Sequence, residues 1–166
     1  WNEVKNYKLR LNLNNKNKIE EINCGDLNKK LKFPKFYVYH LAKIQQFYLD
    51  ILKIPREKFR FRELSEKEKA FYNKLHFDIE LNLETLGGWR ECAGYHYRSN
   101  YDVSRHQEGS GEKLEVNITE NGKNKKILAH VIELSFGVDR NIWALLDLFY
   151  HEDKERVIFK LPFNLI

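Results

Sequence analysis

The chain has 166 residues, 42% of them hydrophobic, and 29 Lys and Arg against 24 Asp and Glu give a formal net charge of +5. That length suits one domain, residues 1–166, with a sizeable core; no apolar run reaches the ~18 residues of a membrane helix. The positive balance fits a polyanionic partner such as nucleic acid, or simply loops rich in lysine and asparagine. Leu9, Leu11 and Leu13 alternate with polar residues and predict a first short strand. Asn14-Asn-Lys-Asn-Lys18 reads as a polar turn or loop, and Pro34 marks a boundary. Leu41, Ile44, Tyr48, Ile51 and Leu52 recur at three- and four-residue spacing, predicting a helix over 36–53 that Pro55 ends. Residues 59–64 alternate as a strand does, with Phe59 and Phe61 toward the core and Arg60 and Arg62 opposite.

Ser65-Glu-Lys-Glu68 matches a helix capping box, so a short helix through Ala70, Phe71 and Tyr72 is expected. Alternation from Leu75 to Glu84 predicts a strand, Gly87-Gly88 a hairpin turn, and residues 89–98 its antiparallel return. A helix is expected to start at Ser99-Asn-Tyr-Asp102 and to stop at Gly109-Ser-Gly111. Leu114–Ile118 and Lys126–Glu133 predict a second hairpin around Asn121-Gly122. An apolar-rich helix over 142–150 and a strand over 156–161, ending at Pro162, complete the chain. Hairpin-joined strands with helices between them predict an α+β fold, an antiparallel β-sheet flanked by helices.

Cys24 and Cys92 lie far apart without metal-type spacing, and the six histidines form no paired ligand motif. Both points argue against a Cys/His metal site and for a reduced cytoplasmic setting. The start, Trp1-Asn-Glu-Val-Lys-Asn, reads as neither a signal peptide nor an initiator. With no methionine, the chain is expected to be a piece of something longer.

His130-Val-Ile-Glu-Leu-Ser-Phe-Gly-Val-Asp-Arg140 is more specific. It resembles motif 3 of class II aminoacyl-tRNA synthetases, in the form found in glycyl-tRNA synthetases. Leu134 stands where that family usually has proline, and Ala129 where proline is common. Four further segments resemble the same family in the same order. They are Leu52-Lys-Ile-Pro-Arg-Glu-Lys-Phe-Arg-Phe-Arg62, Glu68-Lys-Ala-Phe-Tyr72, Phe77-Asp-Ile-Glu80, and Gly88-Trp-Arg-Glu-Cys-Ala-Gly94 continued by Tyr97-Arg-Ser-Asn-Tyr-Asp102 and His106. The resemblance runs from about Phe36 to Pro162. Its motif 1, the arginine-bearing motif 2 and the anticodon-binding domain have no counterpart here. The chain is therefore expected to be the C-terminal part of a class II catalytic domain. The short segment before motif 3 is of the archaeal rather than the inserted eukaryotic form.

The resemblance implies a glycine–tRNA ligase: ATP-dependent activation of glycine to glycyl-adenylate, then transfer to tRNA(Gly). The family is usually homodimeric, and magnesium accompanies the ATP, with ligands that stay unassigned; no tightly bound cofactor or membrane partner is implied. Such a reaction needs no protein nucleophile, and its rate comes from alignment and from cations on the phosphates. The resemblance makes Arg140 the catalytic, ATP-binding arginine; Glu133 is placed on ATP as well as on glycine. Glu68, Glu133 and Ser135 match family positions that cage the ammonium of glycine, and Arg98 an arginine of the same pocket. Plainer readings stand beside these. Glu68 could be a capping residue, Glu133 a strand-end charge, Ser135 a helix cap, and Arg140 a surface arginine near a helix start. Glu91 and Asp102 read as partners of Arg98 or as groups behind the site. Tyr72 and Trp89 read as core aromatics, and Lys67 and Lys69 as a solvated face. Two other functions compete: a non-catalytic synthetase-like module binding RNA or protein, and a different class II synthetase.

Overall fold

The computed structural model describes residues 1–13 and 18–166, so most of the polar segment at 14–18 lies outside the described residues. Its strands are β1 (Lys8–Asn12), β2 (Glu20–Asn23), β3 (Phe59–Glu63), β4 (Leu75–Leu83), β5 (Gly88–Ser99), β6 (Glu115–Glu120), β7 (Lys123–Leu128), β8 (Val131–Phe136), β9 (Tyr150–Glu152) and β10 (Val157–Phe159). Its helices are α1 (Cys24–Lys30), α2 (Lys35–Gln46), α3 (Tyr101–Ser110) and α4 (Val138–Phe149). A wider turn over Phe47–Ile51 prolongs α2.

Six strands form one sheet in the order β2-β1-β3-β4-β5-β8. The α+β class holds, but the sheet is mixed rather than antiparallel throughout, because β1 and β3 run parallel with Leu11 opposite Phe61. The chain crosses from β1 to β3 through α1 and α2, and a crossover of that kind returns a strand in the same direction.

Alternation gives the sheet two unlike faces. Leu9, Leu11, Phe59, Phe61, Ile79, Leu81 and Tyr95 are buried on one of them, together with Tyr37, Leu41 and Tyr48 of the α2 segment. Tyr37 stacks on Tyr95 at 4.3 Å and donates its hydroxyl to the Tyr95 carbonyl at 3.0 Å. Each such buried aromatic contributes about 1.5–3 kcal/mol. As the alternation predicts, Arg60 and Arg62 lie on the other face, opposite Glu80 and Asp78 of β4.

Three local expectations are corrected. The Ser65–Glu68 box closes, with the Ser65 amide and hydroxyl donating to Glu68 Oε2 at 3.0 and 2.7 Å, but turns follow instead of a helix. Leu64 donates to the His76 carbonyl and Lys74 to the Tyr97 carbonyl, so both ends of the segment are tied to the sheet with little chain between them. The expected strand over 126–133 breaks after Leu128, and β8 begins at Val131. Asn121 and Gly122 do turn the hairpin, at φ of 52° and 74°, yet β6 and β7 form a separate ribbon. Lys69 is not solvated: its side chain is 12% exposed and its ammonium lies 2.6 Å from Glu66.

Gly111, at φ 73°, ends α3 as expected, since glycine takes that angle without a Cβ penalty. Cys24 and Cys92 are free and buried, and burial pushes both thiols up to about 11. Among the described residues, no helix is long and apolar enough to cross a membrane.

Candidate functional site

The polar face carries the chemistry. At its centre Gly94 of β5 sits between Asp78 of β4 and Ser135 of β8. One step along, His96 is opposite His76 on one side and Glu133 on the other. Two arginine clusters flank this row.

In the first, Arg62 donates to Glu68 at 2.8 Å, Asp78 at 2.8 Å and Glu80 at 3.0 Å. Arg60 donates to Glu80 at 2.6 Å and lies 4.3 Å from the centre of the Trp89 ring. Burial works against the Arg62 charge, but the bonds to Glu68 and Asp78 outweigh it and raise its pKa. In the second, Arg98 donates to Glu133 at 2.5 Å and Asp102 at 2.7 Å, with its guanidinium 4.2 Å from the Tyr72 ring centre. Those two bonds, to Asp102 first, raise the Arg98 pKa. The Ser135 hydroxyl donates to the other Glu133 oxygen at 2.9 Å. The Arg98 bond lowers the Glu133 pKa against the effect of burial, and Ser135 adds to it.

Beside this row opens a cleft of ≈ 580 Å³ whose walls include Glu91, Gly94, His96, Ser135, Asp139 and Arg140. The β8–α4 turn forms one wall, because the Gly137 amide and the Asn141 side chain both donate to the Cys92 carbonyl, at 3.0 and 2.8 Å. Tyr48 in turn holds Asn141 at 2.7 Å, tying that wall to the core. Arg140 donates to the Glu91 carbonyl at 2.6 Å from the exposed rim. Burial raises the Glu91 carboxyl pKa, as does the negative charge of Asp78. Carboxylates and a hydroxyl suit an ammonium, while a rim arginine suits a phosphate.

Glu133, Ser135 and Arg98 are thus in one hydrogen-bonded chain. Ser135 and Arg140 line the cleft, whereas Glu133 stands one bond behind Ser135. Glu68 belongs to the first cluster, held by Ser65 and Arg62, and connects to Gly94 through Arg62 and Asp78. Of the two residues left open, Asp102 is a partner of Arg98 and Glu91 is a wall of the cleft. Tyr72 and Trp89 are half-buried platforms for Arg98 and Arg60 rather than core aromatics. Sequence reasoning missed His76 and His96, whose rings lie 4.0 Å apart. Counting back from the Leu83–Gly88 pair that closes the hairpin sets His76 opposite Tyr95; a β-bulge at Ile79/Glu80 moves the pairing to His96. Among the described residues, no group of three or more His, Cys, Asp and Glu is arranged to hold a metal ion.

No protein-family model matches the chain. Curated relatives do. The chain is 36% identical over 135 residues to a protein named glycine–tRNA ligase from Mesoplasma florum, covering 78% of this chain and 29% of the relative. It is 37% identical over 124 residues to one so named from Pyrococcus abyssi, covering 71% and 21%. A third, from Thermococcus sibiricus, is 43% identical over 83 residues, covering 50% and 14%. The chain therefore spans less than a third of the length of these relatives.

Proposed function

The chain corresponds to a partial glycyl-tRNA synthetase region, and from that premise we propose that its polar cleft is the glycine end of a class II synthetase active site. The whole enzyme joins glycine to the AMP part of ATP as glycyl-adenylate, releasing pyrophosphate, and passes the glycyl group to tRNA(Gly), releasing AMP. Ser135, backed by Glu133, and Glu91 accept from the substrate ammonium. Arg98 holds Glu133 ionised and in place. Arg140 faces the phosphates, where a planar guanidinium binds two oxygens together. Magnesium enters with ATP and is held through phosphate and carboxylate oxygens. The same reading makes the enzyme a homodimer of the cytoplasm without a tightly bound cofactor. In it Glu68 acts through Arg62 rather than on glycine directly.

The observation that carries the reading is the β5–β8 register. It sets Ser135 over side-chain-free Gly94 and Glu133 beside it, with Arg140 on the same cleft. Glycine gives an enzyme no side chain to grasp, and an open pocket discriminates a methylene by only about 1–3 kcal/mol. Tight acceptors around the ammonium, with little room at Cα, answer that difficulty. The test is glycine-dependent ATP–pyrophosphate exchange by this chain joined to the further length that its relatives carry. Exchange that requires glycine supports the reading. Exchange indifferent to glycine sinks it in favour of a different class II synthetase, and no exchange at all sinks it in favour of the non-catalytic RNA- or protein-binding module.

A further inference from the structure

We infer that His96 is a substrate-binding residue of this cleft, presenting its Nε2–H to the carboxylate of the bound amino acid. The inference rests on the glycine reading above and adds a contact which that reading leaves empty. An amino acid is a zwitterion, so its site needs donors as well as acceptors. Glu91, Asp139 and Ser135 supply the acceptors in the cleft wall. The donors there are Arg140, committed in part to the Glu91 carbonyl, and His96.

Three contacts fix the imidazole. The buried Asn73 amide lies with Nδ2 3.1 Å from His96 Nδ1, which makes Nδ1 the acceptor and leaves the proton on Nε2. The His76 ring lies against it at 4.0 Å. Nε2 leans over Gly94, where an added Cβ would meet it at 2.8 Å and His96 Cε1 at 3.4 Å. A residue with a Cβ at position 94 would force the ring to shift from this place. Among the described residues, His96 Nε2 donates to no protein acceptor.

The charges around His96 favour the neutral donor form. His76 and Asp78 face it from β4, Glu133 from β8 and Arg98 from its own strand. Burial lowers its pKa first, and His76 and Arg98 add to that against Glu133 and Asp78. A neutral ring keeps the Asn73 bond, and with it the direction of Nε2–H.

The experiment is a chemical-shift titration of the ¹⁵N-labelled chain with glycine and, separately, with ethylamine, which keeps the ammonium and has a methyl group in place of the carboxylate. His96→Ala is expected to weaken glycine roughly ten-fold or more, as loss of a hydrogen bond to a charged group does. Its ethylamine affinity should stay within about two-fold of the parent, because that ligand offers His96 no acceptor. His96→Gln, which keeps an N–H of similar reach, should recover most of the glycine affinity and guards against a folding defect in the alanine variant. Equal weakening of both ligands, or unchanged glycine affinity, would overturn the inference while leaving the glycine site standing. A parent chain that binds neither ligand overturns the glycine reading and this inference with it.

Discussion

Replacing Arg62 with alanine is expected to destabilise the protein by about 3 kcal/mol, toward the lower end of what breaking a buried ion pair costs. In a chain of this length that lowers Tm by roughly 6–12 °C. The partners explain the size. Asp78 and Glu80 have side chains only 6% and 9% exposed, and Arg62 neutralises both while itself 23% exposed. Removing it leaves Asp78 with only the His76 ring beside it, at 3.2 Å, and leaves Glu80 to Arg60. Arg62→Ala combined with Asp78→Asn should be milder than the sum of the two changes, because the stranded charge is gone. Thermal unfolding followed by circular dichroism measures this directly. A loss below about 2 °C for Arg62→Ala would mean that water, not arginine, solvates these carboxylates.

Arg140→Ala should act on function instead. Its side chain is exposed and bonded through one N–H to a backbone carbonyl, so folding stability should move by no more than about 0.5 kcal/mol. Glycine-dependent pyrophosphate exchange should fall by roughly 10²–10³-fold, the usual effect of removing one preorganised donor from a developing charge. Arg140→Lys should recover part of that, since an ammonium keeps the charge but loses the two-pronged geometry. Exchange within about three-fold of the parent in the alanine variant would remove Arg140 from the phosphate contact.

Where the physics is local, the sequence is legible. Phe59 and Phe61 face the core, and Arg60 and Arg62 the opposite side, because alternation in one strand decides both. Glu133 and Ser135 share a face for the same reason, and Arg140 follows in the first turn of α4, so one eleven-residue stretch yields much of the site. The parallel β1–β3 pairing could not be read, because it joins residues about fifty positions apart and no local pattern encodes it. The capping box was legible, but the turns that replace its helix follow from backbone bonds to β4 and β5. Glu68 illustrates the limit: its spacing from Ser65 is visible, whereas its capture by Arg62 depends on the folded sheet. His76 and His96 were hidden by one extra residue in β5, since a bulge changes which side chains meet across a hairpin.

Calorimetric titration of this chain with glycyl-sulfamoyl-adenosine, a stable analogue of glycyl-adenylate, tests most directly whether the cleft is a glycyl site. Saturable one-to-one binding that Ser135→Ala weakens is expected, with the alanyl analogue binding at least roughly ten-fold less tightly, as a methyl group without room requires. Absence of binding, or equal affinity for the glycyl and alanyl analogues, would contradict a glycyl site in the cleft.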